Sequence, residues 1–126
     1  MKKILFFILG IIFLVSCSGD KKENVLVVYA PTDEEAILIY KDGFEALQGG
    51  DGFFAAKKFA AAEALYPKSL WAAKSSLMRS YSLYTINFYS EAISNLNKYL
   101  VSYPKTENIV YAHYLMAICY FEQMLD

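Results

Sequence analysis

Residues 53–68 read FFAAKKFAAAEALYPK and residues 90–105 read SEAISNLNKYLVSYPK. Both stretches end on Tyr-Pro-Lys, at Tyr66-Pro67-Lys68 and Tyr103-Pro104-Lys105, 37 positions apart. The same interval carries Ala55 to Ala92, Phe59 to Leu96, Tyr40 to Leu77 and Gly43 to Ser80, and then Leu77 to Tyr114 and Ser80 to Ala117. A fixed interval of this size marks a repeat architecture, in which each unit is one supersecondary element that cannot bury its apolar face alone. The residue types at the matched positions give the unit its geometry. Gly43, Ser80 and Ala117 are small enough to let a facing helix come close, Ala55 and Ala92 do the same from the other side, and Phe59 and Leu96 are the bulky residues between them. Pro67 and Pro104 end each hairpin, because proline has no N–H for the helical ladder.

Working outward, Thr32-Asp33-Glu34-Glu35 predicts a helix start. Thr32 serves as cap with Glu35 as its capping-box partner, and the acidic cluster suits the positive end of the helix dipole. Apolar residues at Ile37, Ile39, Tyr40, Phe44 and Leu47 then recur at helical spacing. Gly49-Gly50-Asp51-Gly52 is expected to stop that helix. Further helices are expected over about 53–65, 70–84 and 89–103, with a turn around Asn87, and a fifth from about Asn108. The fold class is therefore all-α, a stack of antiparallel helical hairpins (an α-solenoid) with two repeats plus the first helix of a third. The order small, Ala, large apolar, Pro resembles the tetratricopeptide repeat. Two positions depart from that pattern. The aromatic expected before the Ala is Tyr89 in the second repeat but Gly52 in the first, and the large residue expected early in the first helix is Ile39 in one repeat but Ser76 in the other. The last helix is apolar around most of its circumference, where a terminal capping helix would carry a polar outer face. The repeat domain over 32–126 is therefore expected to be truncated at its carboxy-terminus.

The amino-terminus carries a different signal. Lys2 and Lys3 precede an apolar run from Ile4 to Val15, shorter than the roughly 20 residues needed to cross a bilayer. This predicts a signal peptide over 1–16. The run ends in Leu14-Val15-Ser16-Cys17, which resembles the lipobox of bacterial lipoproteins. That resemblance implies Cys17 as the lipid attachment point, bearing S-diacylglycerol and N-acyl chains such as palmitate, with 17–31 as the lipidated cysteine and linker, polar from Ser18 to Asn24. Each buried methylene contributes about 0.8 kcal/mol, so several chains hold such a protein on its membrane. Ser18 stands where the sorting rule for inner-membrane retention has Asp, which implies the periplasmic face of the outer membrane. Val25 to Ala30 reads as an extended apolar segment ended by Pro31.

With 126 residues the chain is long enough for one small domain. Lys and Arg number 12 against 13 Asp and Glu, and loss of Lys2 and Lys3 leaves a net charge of -3, which excludes the basic footprint of a nucleic-acid binder. No cofactor or metal is expected. His113 is the only histidine, with no second for a metal cluster and no nucleophile at a recognisable spacing. Cys119, among large apolar neighbours, reads as a buried inert thiol. The glycine-rich turn lacks the Lys-Ser/Thr of a phosphate loop, and Lys57-Lys58 reads as a solvated face. The chain is thus read as a binding protein and not an enzyme. The repeat frame puts Tyr40, Phe44, Leu47, Lys74, Leu77, Tyr81, Tyr84, Tyr111, Tyr114 and Ile118 on the first helices, which line the concave side of such stacks. Tyr40, Phe44, Lys74, Tyr81, Tyr84, Tyr111 and Tyr114 are the candidate groove. Aromatic rings with a lysine suit an extended peptide ending in an aromatic residue and a carboxylate; packing between hairpins is the competing use of each ring.

A lipobox, a polar linker, and repeats containing GGDGFFAAKKFAAAEALYP, SEAISNLNKYLVSYP and NIVYAHYLMAICYFEQ together resemble the BamD family, the tetratricopeptide lipoproteins of outer-membrane β-barrel assembly. The likeness covers essentially the whole chain and corresponds to the amino-terminal half of such a protein. It implies a scaffold that contacts BamA and other assembly-complex subunits and receives unfolded outer-membrane β-barrel proteins. The rival expectations are another periplasmic repeat lipoprotein, coordinating cell-wall synthesis with envelope constriction, and a small envelope enzyme.

Overall fold

The computed structural model describes residues 33–125. The signal peptide, Cys17, the linker, the run Val25 to Ala30 and the Thr32 cap lie outside the described residues. Five helices follow in order: α1 (Asp33–Gln48), α2 (Gly52–Leu65), α3 (Leu70–Thr85), α4 (Tyr89–Ser102) and α5 (Ile109–Leu125). Shifting α1 and α2 by 37 positions gives the limits of α3 and α4 at both ends. Helix α2 packs against α1 and α3, and α4 against α3 and α5, while α1 touches α3 and α3 touches α5. The first helices of the repeats thus form one layer and the second helices another. The described residues are all-helical, in the tetratricopeptide-like stack that the repeat implies.

Local chemistry sets the ends. Helix α1 stops at Gly50, whose φ of 85° is the left-handed conformation that glycine adopts without a Cβ penalty. The Gly50 N–H donates to Leu47 O and the Asp51 N–H to Ala46 O, closing the helix in a Schellman arrangement. Asp51 then caps α2, its Oδ1 accepting from the Phe54 N–H at 2.9 Å. The same closure recurs 37 residues on, at Asn87, with φ 64° and bonds from the Asn87 and Phe88 N–H groups to Tyr84 and Leu83. Ser69 caps α3 by accepting from the Ala72 N–H at 3.0 Å. Lys68 takes a positive φ of 73° in the turn after Pro67.

Packing follows from size. Phe59 is fully buried on α2 beneath Gly43, where an added Cβ would lie 3.1 Å from two of its ring carbons. In the second hairpin Ser80 replaces the glycine and Leu96 the phenylalanine, both fully buried. Helix α3 touches all four others, and it buries Ala72, Ala73, Ser75, Ser76, Ser80 and Ser82. Asn95 reaches across from α4, its Nδ2 donating to Ser76 O and to Ser80 Oγ, each at 2.8 Å. The sequence pattern therefore departs at Ser76 because a small residue is needed under an amide. Its departure at Gly52 has a similar cause. Gly52 is the buried first residue of α2, and a Cβ there would meet Ile86 Cγ2 at 2.6 Å, Thr85 Oγ1 at 2.8 Å and Ser82 O at 3.0 Å.

Tyrosine hydroxyls secure the ends of the repeats, one to the turn after α4 and one from the second repeat to the first. Tyr99 and Thr106 share a hydrogen bond of 2.6 Å, and the Tyr103 hydroxyl donates to Glu63 Oε1 at 3.2 Å. Burial first, then the Glu63 carboxylate, pushes the Tyr103 hydroxyl up to about 12. A tyrosine raised above its unfolded value of about 10 holds its proton more tightly in the folded state. The stability it contributes is complete below that value and lost as pH rises through the folded one.

Two outcomes are expected. Gly-to-Ala exchange inside a helix ordinarily stabilises by up to about 1 kcal/mol, but Gly52→Ala should instead lower the urea-unfolding stability by about 1–3 kcal/mol, because backbone and side-chain atoms of α3 must move. A raised unfolding midpoint would refute the close approach. Tyr103→Phe should flatten the decline of stability between about pH 10 and 12 relative to the unsubstituted chain. An unchanged slope would show that Glu63 does not hold the hydroxyl.

Candidate functional site

The candidate rings divide into two groups. Tyr40, half-buried on α1, has its centroid 5.2 Å from Phe59 and 5.2 Å from Trp71, so it packs at the joint of α1, α2 and α3. Burial raises its hydroxyl above the ordinary tyrosine value. Lys74 on α3 stands over the Trp71 ring, with Nζ 4.9 Å from the centroid, a cation–π geometry. Phe44 on α1 is largely exposed.

The second group gathers between α3 and α5. Tyr81 and Tyr84, partly buried one helical turn apart on α3, have centroids 6.3 Å apart, and Tyr84 lies 6.0 Å from Tyr89 at the start of α4. Across from them, Tyr111 and Tyr114 on α5 are 6.3 Å apart and exposed. Tyr111 lies within electrostatic reach of the α3 tyrosines. Its hydroxyl is raised by burial first, and then by Tyr81, Tyr114 and Tyr84. The structure therefore brings Tyr81, Tyr84, Tyr111 and Tyr114 together, keeps Tyr40 and Lys74 with Trp71, and leaves Phe44 on the neighbouring helix.

Sequence reasoning did not single out Trp71 or a cleft of about 310 Å³ beside Lys74, lined also by Leu70, Ala73, Lys105, Thr106, Glu107 and Asn108. The available signal for Trp71 was its place three residues before Lys74 on the same helix face. For the cleft the signal was weaker, since it forms where the turn between α4 and α5 meets the start of α3, and no interval in the sequence encodes that meeting. Such a setting offers apolar surface, aromatic faces, hydroxyls and lysine charge.

Other groups are accounted for within the fold. Lys58 is bound to Asp42 at 2.8 Å and lies over the Phe54 ring at 5.3 Å, so it ties α2 to α1, while Lys57 is exposed. Cys119 is fully buried, and burial pushes its thiol up, away from the reactive thiolate. His113 is exposed. Among the described residues no group of His, Cys, Asp and Glu could hold a metal ion, and no helix is long and apolar enough to cross a membrane.

Comparison with known proteins gives a consistent picture. The family model described as outer membrane lipoprotein (YfiO) matches residues 32–126. The outer membrane protein assembly factor BamD of Caulobacter vibrioides is 35% identical over 113 residues, which is 90% of this chain and 36% of that protein. The BamD of Rickettsia prowazekii is 28% identical over 119 residues, covering 94% of this chain and 45% of its own length. The chain thus spans less than half the length of these curated relatives. No solved structure shows significant similarity to it. With the helical repeats and the family match covering the same residues, the chain belongs to the YfiO/BamD family of outer membrane lipoproteins.

Proposed function

We propose that this protein is a lipid-anchored scaffold on the periplasmic face of the outer membrane, and that it serves the assembly and insertion of β-barrel outer-membrane proteins. It binds BamA and other subunits of the assembly complex, and it receives unfolded barrel substrates on the layer of first helices. The observation that carries the reading is the tyrosine cluster of α3 and α5 in a chain whose relatives are named assembly factors. Tyrosine supplies rigid contact area and a hydroxyl at low entropic cost, which suits ligands that share a terminal chemistry but differ in sequence. Lys74 supplies the charge for a carboxylate, and Tyr40 and Phe44 complete the apolar layer from α1. No cofactor takes part beyond the S-diacylglycerol and N-acyl groups on Cys17, and no catalytic residue is assigned.

The groove is tested with a ten-residue peptide ending in an aromatic residue and a free carboxylate, titrated against the full chain. Lys74→Gln with Tyr111→Ala should weaken binding by about tenfold or more with the helical circular dichroism unchanged. Amidating the peptide should weaken it in the parent protein but not in the double variant. Equal affinities throughout would remove the groove. The tether is tested separately, in cells. Cys17→Ser should abolish lipid labelling and release the protein from membranes or leave it unprocessed, and undiminished labelling would contradict the anchor. Recovery of cell-wall synthases without BamA from detergent extracts would overturn the assembly role.

A further inference from the structure

Helix α2 is apolar on the side that α1 and α3 leave uncovered. Phe53, Phe54, Ala60, Ala61, Ala64 and Leu65 line it, with Lys57 as the one charge among them. Phe53 is 65% and Phe54 44% accessible, Ala61 and Ala64 are exposed, and Ala60 and Leu65 are half-buried. The repeat supplies its own control. Thirty-seven residues on, the same positions of α4 are Ser90, Glu91, Asn97, Lys98, Val101 and Ser102, all exposed and all but one polar. An outer face that meets only water is built as in α4. A helix apolar around its whole circumference has the pattern of one covered on every side, and contiguous exposed apolar surface marks a contact.

We infer that Val25 to Ala30 of this chain covers that face, lying extended along α2 with Ala30 at the Ala64 end and Val25 toward Phe53. Position, length and chemistry select this occupant. Helix α1 begins at Asp33, and its antiparallel packing on α2 sets that start beside the end of α2, so the chain before it enters next to Leu65. From Ala64 back to Phe53 is roughly 17 Å along the helix, and an extended run from Val25 to Ala30 reaches about 20 Å. Val25-Leu26-Val27-Val28-Tyr29-Ala30 carries no charge and five bulky side chains. The alanines of α2 leave them room, as small meets bulky at Gly43 and Phe59. On an outer surface the segment keeps its peptide groups in water along both flanks, so none is stranded. Lys57 has a stem long enough to carry its ammonium past the segment into water. Docking leaves Ser18 to Asn24 as the free tether, about 25 Å at full stretch, and hands it to the proposed lipid from the Phe53 end of α2. The docking itself rests on neither the anchor nor the proposed assembly role.

The test is disulfide trapping in the full chain, with single-cysteine variants supplying the background from Cys17 and Cys119. Val27→Cys and Val28→Cys are each paired with Ala61→Cys, since neighbouring side chains of an extended segment point opposite ways. One of the two pairs should close an intramolecular disulfide under copper–phenanthroline oxidation about tenfold faster than the same cysteine paired with Lys41→Cys. Lys41 is exposed on α1 and within the same reach of the segment, so nearness along the chain alone gives equal rates. Adding Leu26→Asp and Tyr29→Asp to the fast pair should bring its rate down to that of the Lys41 pair, with the helical circular dichroism unchanged. Equal rates at Ala61 and Lys41, or a rate indifferent to Leu26→Asp and Tyr29→Asp, overturns the inference. A disulfide formed between two chains also overturns it, because the face would then join copies. So does shielding of Ala61→Cys from a soluble maleimide only when phosphatidylethanolamine–phosphatidylglycerol vesicles are present, because the face would then lie on the membrane.

Discussion

The structure depends on how closely two helices approach inside each hairpin. In the first hairpin Phe59 fills the space under Gly43 so completely that a Cβ there would be in tight contact with the ring. Glycine within a helix costs about 1 kcal/mol relative to alanine, so its place in the third turn of α1 needs an offsetting gain. Burying the phenylalanine side chain supplies one, of about 1.5–3 kcal/mol. The second hairpin solves the same problem with a different pair, a larger Ser80 against a smaller Leu96. The bulk at the two matched positions is shared out differently, and all four residues are buried. Interiors packed to crystal-like density tolerate such exchanges when the total is held, and tolerate a change in one partner alone poorly. The 37-residue interval reflects that pairing, since each small residue must meet its bulky partner at the same height.

Helix α3 shows what repetition demands of the middle element. It alone touches every other helix, so few of its faces are left for large side chains. Alanine and serine fill six of its eight buried positions, with Leu77 and Leu83 at the others. The serines are accommodated because their hydroxyls can return to the carbonyl one turn back, as Ser80 does to Ser76 and Ser82 to Met78. Ser75 is the exception, with a buried hydroxyl that has no partner. Asn95 adds direction to this seam. Apolar contacts alone would allow α4 to slide along α3 at modest cost, whereas a shift of one turn would strand the buried amide away from Ser76 and Ser80. A polar group in the core here fixes register more than it adds stability.

Most of the architecture was legible because it repeats. Proline and glycine punctuation located the turns, and helical spacing located the elements, with the limits of α2, α3 and α4 falling within a residue of expectation. The two departures from the repeat pattern, Gly52 and Ser76, looked like weaknesses in the sequence and prove to be positions under tight contact. Their cause lies on other helices, in Ser82 to Ile86 for the one and in Asn95 for the other, so no local reading could supply it. The division of the tyrosines was hidden for a related reason. A first helix in a stack has two apolar neighbours, its own second helix and the next first helix, and periodicity shows that a position is apolar without showing which neighbour it meets. Tyr40 and Tyr111 are both aromatic and both in the frame, yet one lies against Phe59 and Trp71 while the other lies across from Tyr81.

The separation between joint and groove bears on how the proposed scaffold would work. A site that receives many different unfolded chains cannot rely on shape fitted to one of them, and tight binding would hinder release. A shallow layer of tyrosines with one lysine gives weak, tolerant contact. The proposed lipid foot would compensate for weakness without altering the contacts, because confinement to a membrane surface converts encounter into a local event at high effective concentration. Rigidity is then required of the layer that carries the rings, not of the rings themselves. That rigidity comes from the hairpin joints, where Gly43, Ser80 and their partners lock each first helix to its second. The same residues that set the repeat interval would therefore hold the proposed groove tyrosines of α3 in position, and a substitution at Ser80, one turn from Tyr84 on the same helix, would act on binding through the joint that seats that helix.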